Sequence, residues 1–314
     1  MVIEEVTCKE YFARVDTKIF FNSAKFNFLN QDKVDRVRYL LFKDKKYRFG
    51  LCVGQKDNSF AAPFSAPFAT FVNLKNDWSI LQLEEAVHCF DDFAFNENMQ
   101  RVKFTLPPYF YAENLISSLQ NIFLRIGYMV KYQDLNFSLK LDKKFVDEYT
   151  RLIPSNGRKN LNNALKNNLN FVRCETTEEK KAAYDIIKLN RQSRGYPLRM
   201  TWEQVRETIN IVDNDFFIVS YENENIASAI AFHVTDDIVQ IIYWGDIPNF
   251  SSLRPTNFLA YNLINYYSKK DIAYIDIGPS TEFGIPSYGL CDFKRSIGCN
   301  VNAKFTLEKI YSAR

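Results

Sequence analysis

Hydrophobic and polar residues recur with helical and strand periods along the C-terminal half of the chain. Thr176 and Thr201 each stand three residues before a Glu or Gln, at the head of a run whose apolar residues recur every three to four positions. This spacing is the reciprocal capping arrangement of a helix N-terminus, so a helix is predicted after each threonine. The first helix is predicted to end at Gly195, because glycine readily adopts the left-handed conformation that stops helices.

Apolar runs separated by turn-prone residues indicate strands before and after these helices. One strand is predicted before the first helix. After the second helix, an antiparallel meander of three strands is predicted. A helix, a strand, a helix and a strand are predicted to follow it in that order. The strands are predicted at Leu169–Cys174, Asp215–Tyr221, Ile226–Val234, Ile238–Gly245, Ala273–Ile277 and Asn300–Leu307. The two later helices are predicted at Asn257–Lys269 and Tyr288–Ser296.

The N-terminal half repeats part of this order more faintly. A hairpin, a helix capped by Ser79, a strand, a helix and a strand are predicted. Apart from the helix at Ser79, their bounds are Val37–Phe42, Tyr47–Val53, Val102–Leu106, Ala112–Ile126 and Leu135–Leu141. The repeated order predicts an internal duplication. We expect a partly degenerate N-terminal domain at residues 1–141 and a C-terminal domain at residues 142–314 that begins with a linker helix, Lys143–Ile153.

Composition narrows the class of protein. The chain has 314 residues, of which 46% are hydrophobic and 25% charged, as in a globular protein of two domains. Its formal net charge is only +3, so any anion-binding surface must come from local clustering. Six cysteines without a C-x-x-C pair argue against a zinc site or a disulfide framework and favour a cytoplasmic location. His88 and His233 are predicted to be structural.

Neither a secretion signal nor a membrane span is predicted. Glu4 and Glu5 stand where a signal peptide requires basic residues. The longest uncharged stretch, Asn58 to Leu74, is interrupted by Pro63 and Pro67. It is therefore predicted to form a packed loop or short strands rather than a span.

Three short segments late in the chain carry a family resemblance. They are a helix that begins at a proline within Leu253–Tyr261, the strand end Asp276-Ile-Gly278, and the element Gly289-Leu-Cys-Asp-Phe-Lys294, which extends to Gly298. Their order and spacing resemble the Fem-type branch of the GNAT N-acyltransferase superfamily, and the element order between about 155 and 310 is that of the GNAT fold. The resemblance implies an α/β fold with a mixed sheet (α+β) in two tandem GNAT-like domains. That branch includes aminoacyl-tRNA-dependent transferases of peptidoglycan synthesis and GNAT-like proteins of cell-surface polysaccharide synthesis.

The resemblance also implies roles for residues in these segments. In Fem-type relatives the lysine of the Phe-Lys pair is placed at the reacting carbonyl, which implies that Lys294 stabilises the oxyanion of the transition state. Asp276 is predicted to remove the proton of the attacking amine. Phe293 is predicted to contact the substrate and to restrict water around Lys294. The alternative is an ion pair of Lys294 with Asp276 or Asp292 that only tethers the last helix.

The segment that would bind coenzyme A lacks the feature that GNAT acetyltransferases commonly use. They hold the pyrophosphate on backbone N–H groups of a glycine-rich turn before the helix that follows the meander. Here the corresponding residues, Asn249–Asn257, contain no glycine. We expect weak coenzyme A binding through Ser252, Arg254 and Thr256, or else a simple helix-capping loop. The donor is left open between acyl-CoA and aminoacyl-tRNA, and no metal is expected.

Basic residues cluster in two intervals without acids. The first, between Glu148 and Glu175, contains Arg158 and Lys159 in the first turn of a helix predicted to be capped by Ser155. Positive charge is unfavourable at a helix N-terminus unless an anion is close. These residues are therefore predicted to bind a phosphate-containing substrate, and tRNA is one candidate partner. A solvated surface is the alternative. The second interval, between positions 185 and 203, contains Lys188, Arg191, Arg194 and Arg199.

The segment Ala62–Phe68 contributes two candidate substrate contacts, Phe64 and Phe68, which are predicted to line an acceptor cleft, with core packing as the alternative. Together, these features predict a cytoplasmic transferase that moves an acyl or aminoacyl group to an amine. Its candidate acceptors are a nucleotide-linked sugar and a cell-surface precursor. The competing hypothesis is a non-catalytic binding module on a GNAT scaffold that has lost the coenzyme A loop.

Overall fold

A computed structural model describes residues 1–311 of the chain. The helices are α1 (Cys8–Arg14), α2 (Ala24–Leu29), α3 (Ile80–Asn96), α4 (Glu113–Arg125), α5 (Lys143–Asp147), α6 (Tyr149–Leu152), α7 (Ser155–Lys166), α8 (Thr177–Arg194), α9 (Trp202–Ile209), α10 (Pro255–Tyr267) and α11 (Tyr288–Ser296). The strands are β1 (Val2–Val6), β2 (Arg36–Lys43), β3 (Tyr47–Lys56), β4 (Ser59–Ala62), β5 (Val72–Asn73), β6 (Arg101–Thr105), β7 (Met129–Lys140), β8 (Asn170–Arg173), β9 (Asn214–Tyr221), β10 (Glu224–His233), β11 (Ile238–Asp246), β12 (Tyr274–Pro279), β13 (Thr281–Glu282), β14 (Ile285–Pro286) and β15 (Asn300–Ile310).

Local capping chemistry sets most helix starts. Thr176 and Thr201 form complete capping boxes at α8 and α9, and Ser79 does so at α3. Gly195 ends α8 at a φ of +67°. The predicted cap Ser155 is wrong, because it is the first helical residue of α7 and the preceding proline makes no side-chain capping bond. The predicted linker helix is divided into the short helices α5 and α6.

The chain forms two compact units. Of the described residues, unit 1 comprises 1–135, 283–285 and 302–311, and unit 2 comprises 136–282 and 286–301. Among the described residues, no helix combines the length and the apolar character needed to cross a membrane. Within residues 1–311 no group of three His, Cys, Asp or Glu side chains is arranged to hold a metal ion.

The sheet of unit 1 has the strand order β1-β2-β3-β4-β6-β15, and β5 pairs with β3. Neighbours from β1 to β4 are antiparallel, β4 and β6 are parallel, and β15 is antiparallel to β6. Aromatic rings fill its core: Phe104 lies 4.7 Å from Phe123 and 5.5 Å from Phe90 between ring centroids. Large buried rings of this kind contribute much of the apolar area that stabilises a small unit.

The sheet of unit 2 repeats this pattern with the order β8-β9-β10-β11-β12-β7. Neighbours from β8 to β11 are antiparallel, β11 and β12 are parallel, and β7 is antiparallel to β12. In each unit the sixth strand comes from the other half of the sequence: residues 136–140 of β7 belong to unit 2, and residues 302–310 of β15 belong to unit 1. The internal duplication itself stays a prediction.

The parallel pair of unit 2 separates partway along its strands. β11 pairs with β12 from Ile238 opposite Tyr274 to Gln240 opposite Asp276. Beyond these residues β11 continues to Asp246, and β12 continues to Pro279 beside β7. We call the gap beyond Gln240 and Asp276 the β11–β12 opening, and several of the residues singled out from the sequence lie at its edge.

Candidate active site at the β11–β12 opening

Lys294 lies on α11 with its ammonium group at the end of β12. The residue is 4% exposed, and Nζ donates hydrogen bonds to the carbonyl oxygens of Ile277, Gly278 and Pro279 at 3.1, 2.8 and 3.0 Å. An ammonium group has three hydrogens, so these three carbonyls use all of them. Burial lowers the pKa of Lys294 to about 8, which is close to the range in which proton transfer at neutral pH is efficient.

Asp276 precedes these carbonyls on β12 and has no exposed surface. Its Oδ1 accepts hydrogen bonds from Asn136 Nδ2 at 2.7 Å and from the Gly278 backbone N–H at 2.8 Å, and its Oδ2 accepts one from Gln240 Nε2 at 2.7 Å. Three donors compensate the cost of burying this carboxylate. Asp276 therefore fixes the strand end at which Lys294 is bound, and it also attracts the ammonium electrostatically.

Phe293 and Lys294, which are neighbours on α11, contact different aromatic rings. Phe293 is half-buried, and its ring centroid lies 5.7 Å from that of Trp244 on β11. The ring of Phe137 lies 5.2 Å from Lys294 Nζ. The structure thus brings Lys294 and Asp276 together at the end of β12, whereas the ring of Phe293 lies against Trp244 on β11.

The three residues predicted to hold coenzyme A lie at the start of α10. Ser252 and Arg254 are exposed, and Thr256 is half-buried. Arg254 adopts the left-handed conformation with φ +58°. The next residue, Pro255, has no N–H group, and the N–H of Asn257 is bonded to the Arg254 carbonyl at 3.1 Å. The helix start therefore offers few backbone donors to a pyrophosphate.

Arg158 and Lys159 are exposed on α7, a helix that packs against α10 and α11. Arg158 Nη2 donates to the carbonyl oxygens of Arg151 at 3.0 Å and Ile153 at 3.3 Å, so its guanidinium caps the end of α6. Lys159 makes no such contact in the part of the chain that the structure describes. Of the two, Lys159 is the one whose charge is available to a ligand.

Phe64 and Phe68 belong to unit 1, whereas Lys294 belongs to unit 2. Phe68 is 1% exposed, and its ring lies 5.3 Å from that of Phe21 and 4.6 Å from that of Tyr111. Phe64 covers Gly54, where an added Cβ would lie 2.6 Å from the Phe64 ring. Both rings are therefore packed against their own unit, and their role in substrate binding stays a prediction.

The sequence did not single out Arg191, which is the most unusual cation of unit 2. It lies on α8 with its guanidinium carbon 5.9 Å from the ring centroids of both Tyr196 and Tyr243, and its buried Nε has no hydrogen-bond partner. Burial lowers the pKa of this guanidinium. The acid-free interval between positions 185 and 203 was a sequence signal, but it did not distinguish Arg191 from its basic neighbours.

A second polar cluster forms around Asp215 at the start of β9. The carboxylate contacts Arg173 Nε at 2.6 Å, His233 Nε2 at 2.9 Å and Tyr267 OH at 3.1 Å. Burial raises the pKa of Asp215, but the bonds from His233 and Arg173 outweigh it and hold that pKa well below its ordinary value. This cluster links β8, β9, β10 and α10, in agreement with a structural role for His233.

Comparisons with known proteins support the fold. No protein-family model matches the chain, and a search of curated proteins finds no significant match. Among solved structures, FemX is similar with a TM-score of 0.72, 13% identity and coverage of 99% of this chain and 98% of that one. The C-terminal domain of a putative lysylphosphatidylglycerol synthetase from Agrobacterium fabrum has a TM-score of 0.64, 11% identity and coverage of 96% and 92%. A tandem GNAT protein from the clavulanic acid biosynthesis pathway has a TM-score of 0.55, 6% identity and coverage of 99% of both chains. The chain therefore has the tandem GNAT-like fold of Fem-type proteins.

Proposed function

We propose that this protein transfers an acyl or aminoacyl group to an amine, with the reacting carbonyl at Lys294. The single observation that carries the proposal is the buried ammonium of Lys294 at the β11–β12 opening. In the reaction the amine attacks the carbonyl carbon, a C–N bond forms, and the C–O or C–S bond of the donor breaks. The amine loses one proton, and the leaving oxygen or sulfur gains one.

Lys294 would stabilise the negative charge that develops on the carbonyl oxygen. A positive charge in a site shielded from water acts more strongly on an oxyanion than it does in solution. To reach the oxyanion, one of the three Nζ hydrogens would move from a backbone carbonyl of β12 to the substrate. With a pKa of about 8, most Lys294 side chains carry the required charge at neutral pH.

The prediction that Asp276 removes the amine proton stays part of this proposal. Its carboxylate is buried and accepts bonds from Asn136, Gln240 and the Gly278 N–H. A proton would reach it only after one of these donors moved away or through a water relay. The alternative contribution of Asp276 is to hold the strand end at which Lys294 is bound.

An aminoacyl ester is the preferred donor, and acyl-CoA is the second candidate. The start of α10 supports this order, because Pro255 has no N–H group and that of Asn257 is already bonded within the turn. The similarity to FemX and to a putative lysylphosphatidylglycerol synthetase also favours an aminoacyl donor. For the acceptor we propose a phosphate-containing amine such as a nucleotide-linked sugar or a cell-surface precursor, with the Lys159 charge available to its phosphate.

A donor panel tests this proposal. The protein is incubated with labelled aminoacyl-tRNAs and, separately, labelled acetyl-CoA, each with a panel of amine acceptors that includes nucleotide-linked amino sugars. We expect label transfer to an amine from aminoacyl-tRNA and little or none from acetyl-CoA. Binding of donors without any transfer across the panel would instead support the non-catalytic binding module.

A further inference from the structure

The surroundings of Arg191 leave its charge without a counter-ion. Its guanidinium contacts the rings of Tyr196 and Tyr243, and no carboxylate is bonded to it among the described residues. The nearest acid along β11, Asp246, is already bound by Arg194 Nη2 at 3.2 Å and by Asn190 Nδ2 at 3.4 Å. Desolvated cations without a partner are costly, so such a site is suited to an anionic ligand.

Arg191 and α11 lie on opposite faces of the unit 2 sheet. Neighbouring residues of a strand point to opposite faces. On β11, Tyr243 contacts Arg191 of α8, whereas Trp244 contacts Phe293 of α11. Arg191 therefore approaches the β11–β12 opening from one face, and α11 with Lys294 lies on the other.

The charges of these two residues nevertheless influence each other. Burial is the main cause of the lowered pKa of Lys294, and repulsion from Arg191 adds to it. Asp276, which lies at the edge of the opening, acts in the opposite direction and raises that pKa. Tyr196 is 42% exposed, so the side of Arg191 that it covers borders solvent and gives a ligand access.

We infer that Arg191 binds an anionic group of the substrate, a carboxylate or a phosphate, on the face of unit 2 opposite α11. The guanidinium supplies planar, paired donors that match either oxyanion, and the two tyrosine rings hold its plane in place. The inference rests on the proposed function and deepens it. The substrate whose carbonyl or amine reacts at Lys294 carries an anion that is bound from the other face of the sheet.

Calorimetric titration of the full chain with inorganic phosphate and, separately, with acetate tests the inference without requiring turnover. The variants are Arg191→Gln, Arg191→Lys and a matched control, Lys188→Gln, which removes an exposed cation from the same helix. We expect the unchanged protein to bind at least one of the two anions. Arg191→Gln should weaken that binding roughly 10- to 100-fold, the scale of a charge-assisted hydrogen bond, and Lys188→Gln should change it less than about 2-fold.

The preferred anion distinguishes a phosphate-bearing substrate from a carboxylate-bearing one. If Arg191→Gln melts early, Arg191→Lys is the variant to compare. Lysine keeps the positive charge but lacks the paired donors of the guanidinium, so this variant should still bind the anion several-fold more weakly than the unchanged protein. The absence of binding to both anions, or equal binding by all three variants, would overturn the inference. Neither outcome affects the donor panel, so acyl transfer at Lys294 stands or falls separately.

Discussion

Lys294 Nζ donates a 2.8 Å hydrogen bond to the carbonyl oxygen of Gly278, whose φ is +72°. The carbonyls of a regular strand alternate in direction, so three consecutive ones cannot converge on a single atom. The left-handed conformation at Gly278 breaks this alternation. The strand end with the sequence Asp-Ile-Gly and the Phe-Lys pair of α11 therefore form one arrangement, in which glycine positions the carbonyls and lysine occupies the point where they meet.

Replacing Gly278 with Ala should destabilise the protein through backbone strain alone. No neighbouring atom lies within 4 Å of a Cβ added at Gly278. The left-handed backbone conformation at this position, however, costs an L-residue about 1–2 kcal/mol. Gly289 provides the matched control, because it lies within α11 with equally open space around it. Gly289→Ala should raise the free energy of unfolding by about 0.5–1 kcal/mol. Urea unfolding measures both, and equal effects would contradict the role given to Gly278.

The lowered pKa of Lys294 predicts a dependence of stability on alkaline pH. The folded state releases this proton at about pH 8 and the unfolded state near 10.5, so between these values the unfolded state binds more protons. The contribution of Lys294 to the free energy of unfolding should therefore rise with pH across this window. Denaturant unfolding of the protein and of Lys294→Met at several pH values isolates the effect. A difference in stability between the two that stays constant from pH 7 to pH 10.5 would contradict the buried ammonium.

Elements whose signals are local were predictable from the sequence. The capping boxes at Thr176 and Thr201 and the bounds of α11 depend on neighbouring residues, and the structure agrees with them. The start of α7 was misplaced because Pro154 opens that helix without a side-chain cap. The exchange of β7 and β15 between units was not predicted, because pairing partners distant in sequence leave no local pattern.

The candidate site was predictable only in part. The resemblance of the Asp-Ile-Gly and Phe-Lys segments pointed to Asp276 and Lys294, and the structure brings them together. The convergence of three carbonyls depends on the backbone conformation at Gly278, which the sequence indicates only by the presence of glycine. The environment of Arg191 depends on Tyr243, which is distant in sequence and contacts Arg191 because α8 packs on β11.

Coenzyme A binding, if it occurs, should depend on the side chain of Arg254. We choose Arg254→Gly rather than Ala, because Arg254 has φ +58° and glycine keeps that conformation without strain. The variant should fold at least as stably as the unchanged protein and bind coenzyme A roughly 10- to 100-fold more weakly, a loss of about 1.5–3 kcal/mol. Titration calorimetry measures the binding. Tight binding that survives the substitution would show that the start of α10 holds the pyrophosphate in another way.

Charge at Lys159 should strengthen the binding of a phosphate-rich ligand such as tRNA. Lys159→Glu is the informative variant, because reversing Arg158 would also remove its bonds to the carbonyls at the end of α6. The substitution should lower the affinity for tRNA by a larger factor at low salt than at high salt, since dissolved ions screen charges beyond about 10 Å at 0.1 M. Filter-binding across a salt series records this. An affinity unaffected by the substitution at every salt concentration would make Lys159 a solvated surface residue.

The central claim is that the ammonium of Lys294 acts on the reacting carbonyl, and single-turnover acyl transfer by Lys294→Met tests it most directly. The substitution also leaves three carbonyls without their donor, so the protein should melt earlier. Val205→Ala is the control: Val205 of α9 is buried in the core of unit 2, so its truncation lowers stability without changing a residue of α11. At a temperature where both variants are folded, Lys294→Met should transfer roughly 100- to 1000-fold more slowly, whereas Val205→Ala should stay close to the unchanged rate. Equal rates for folded Lys294→Met and the unchanged protein would contradict the account and leave Lys294 as a tether of α11.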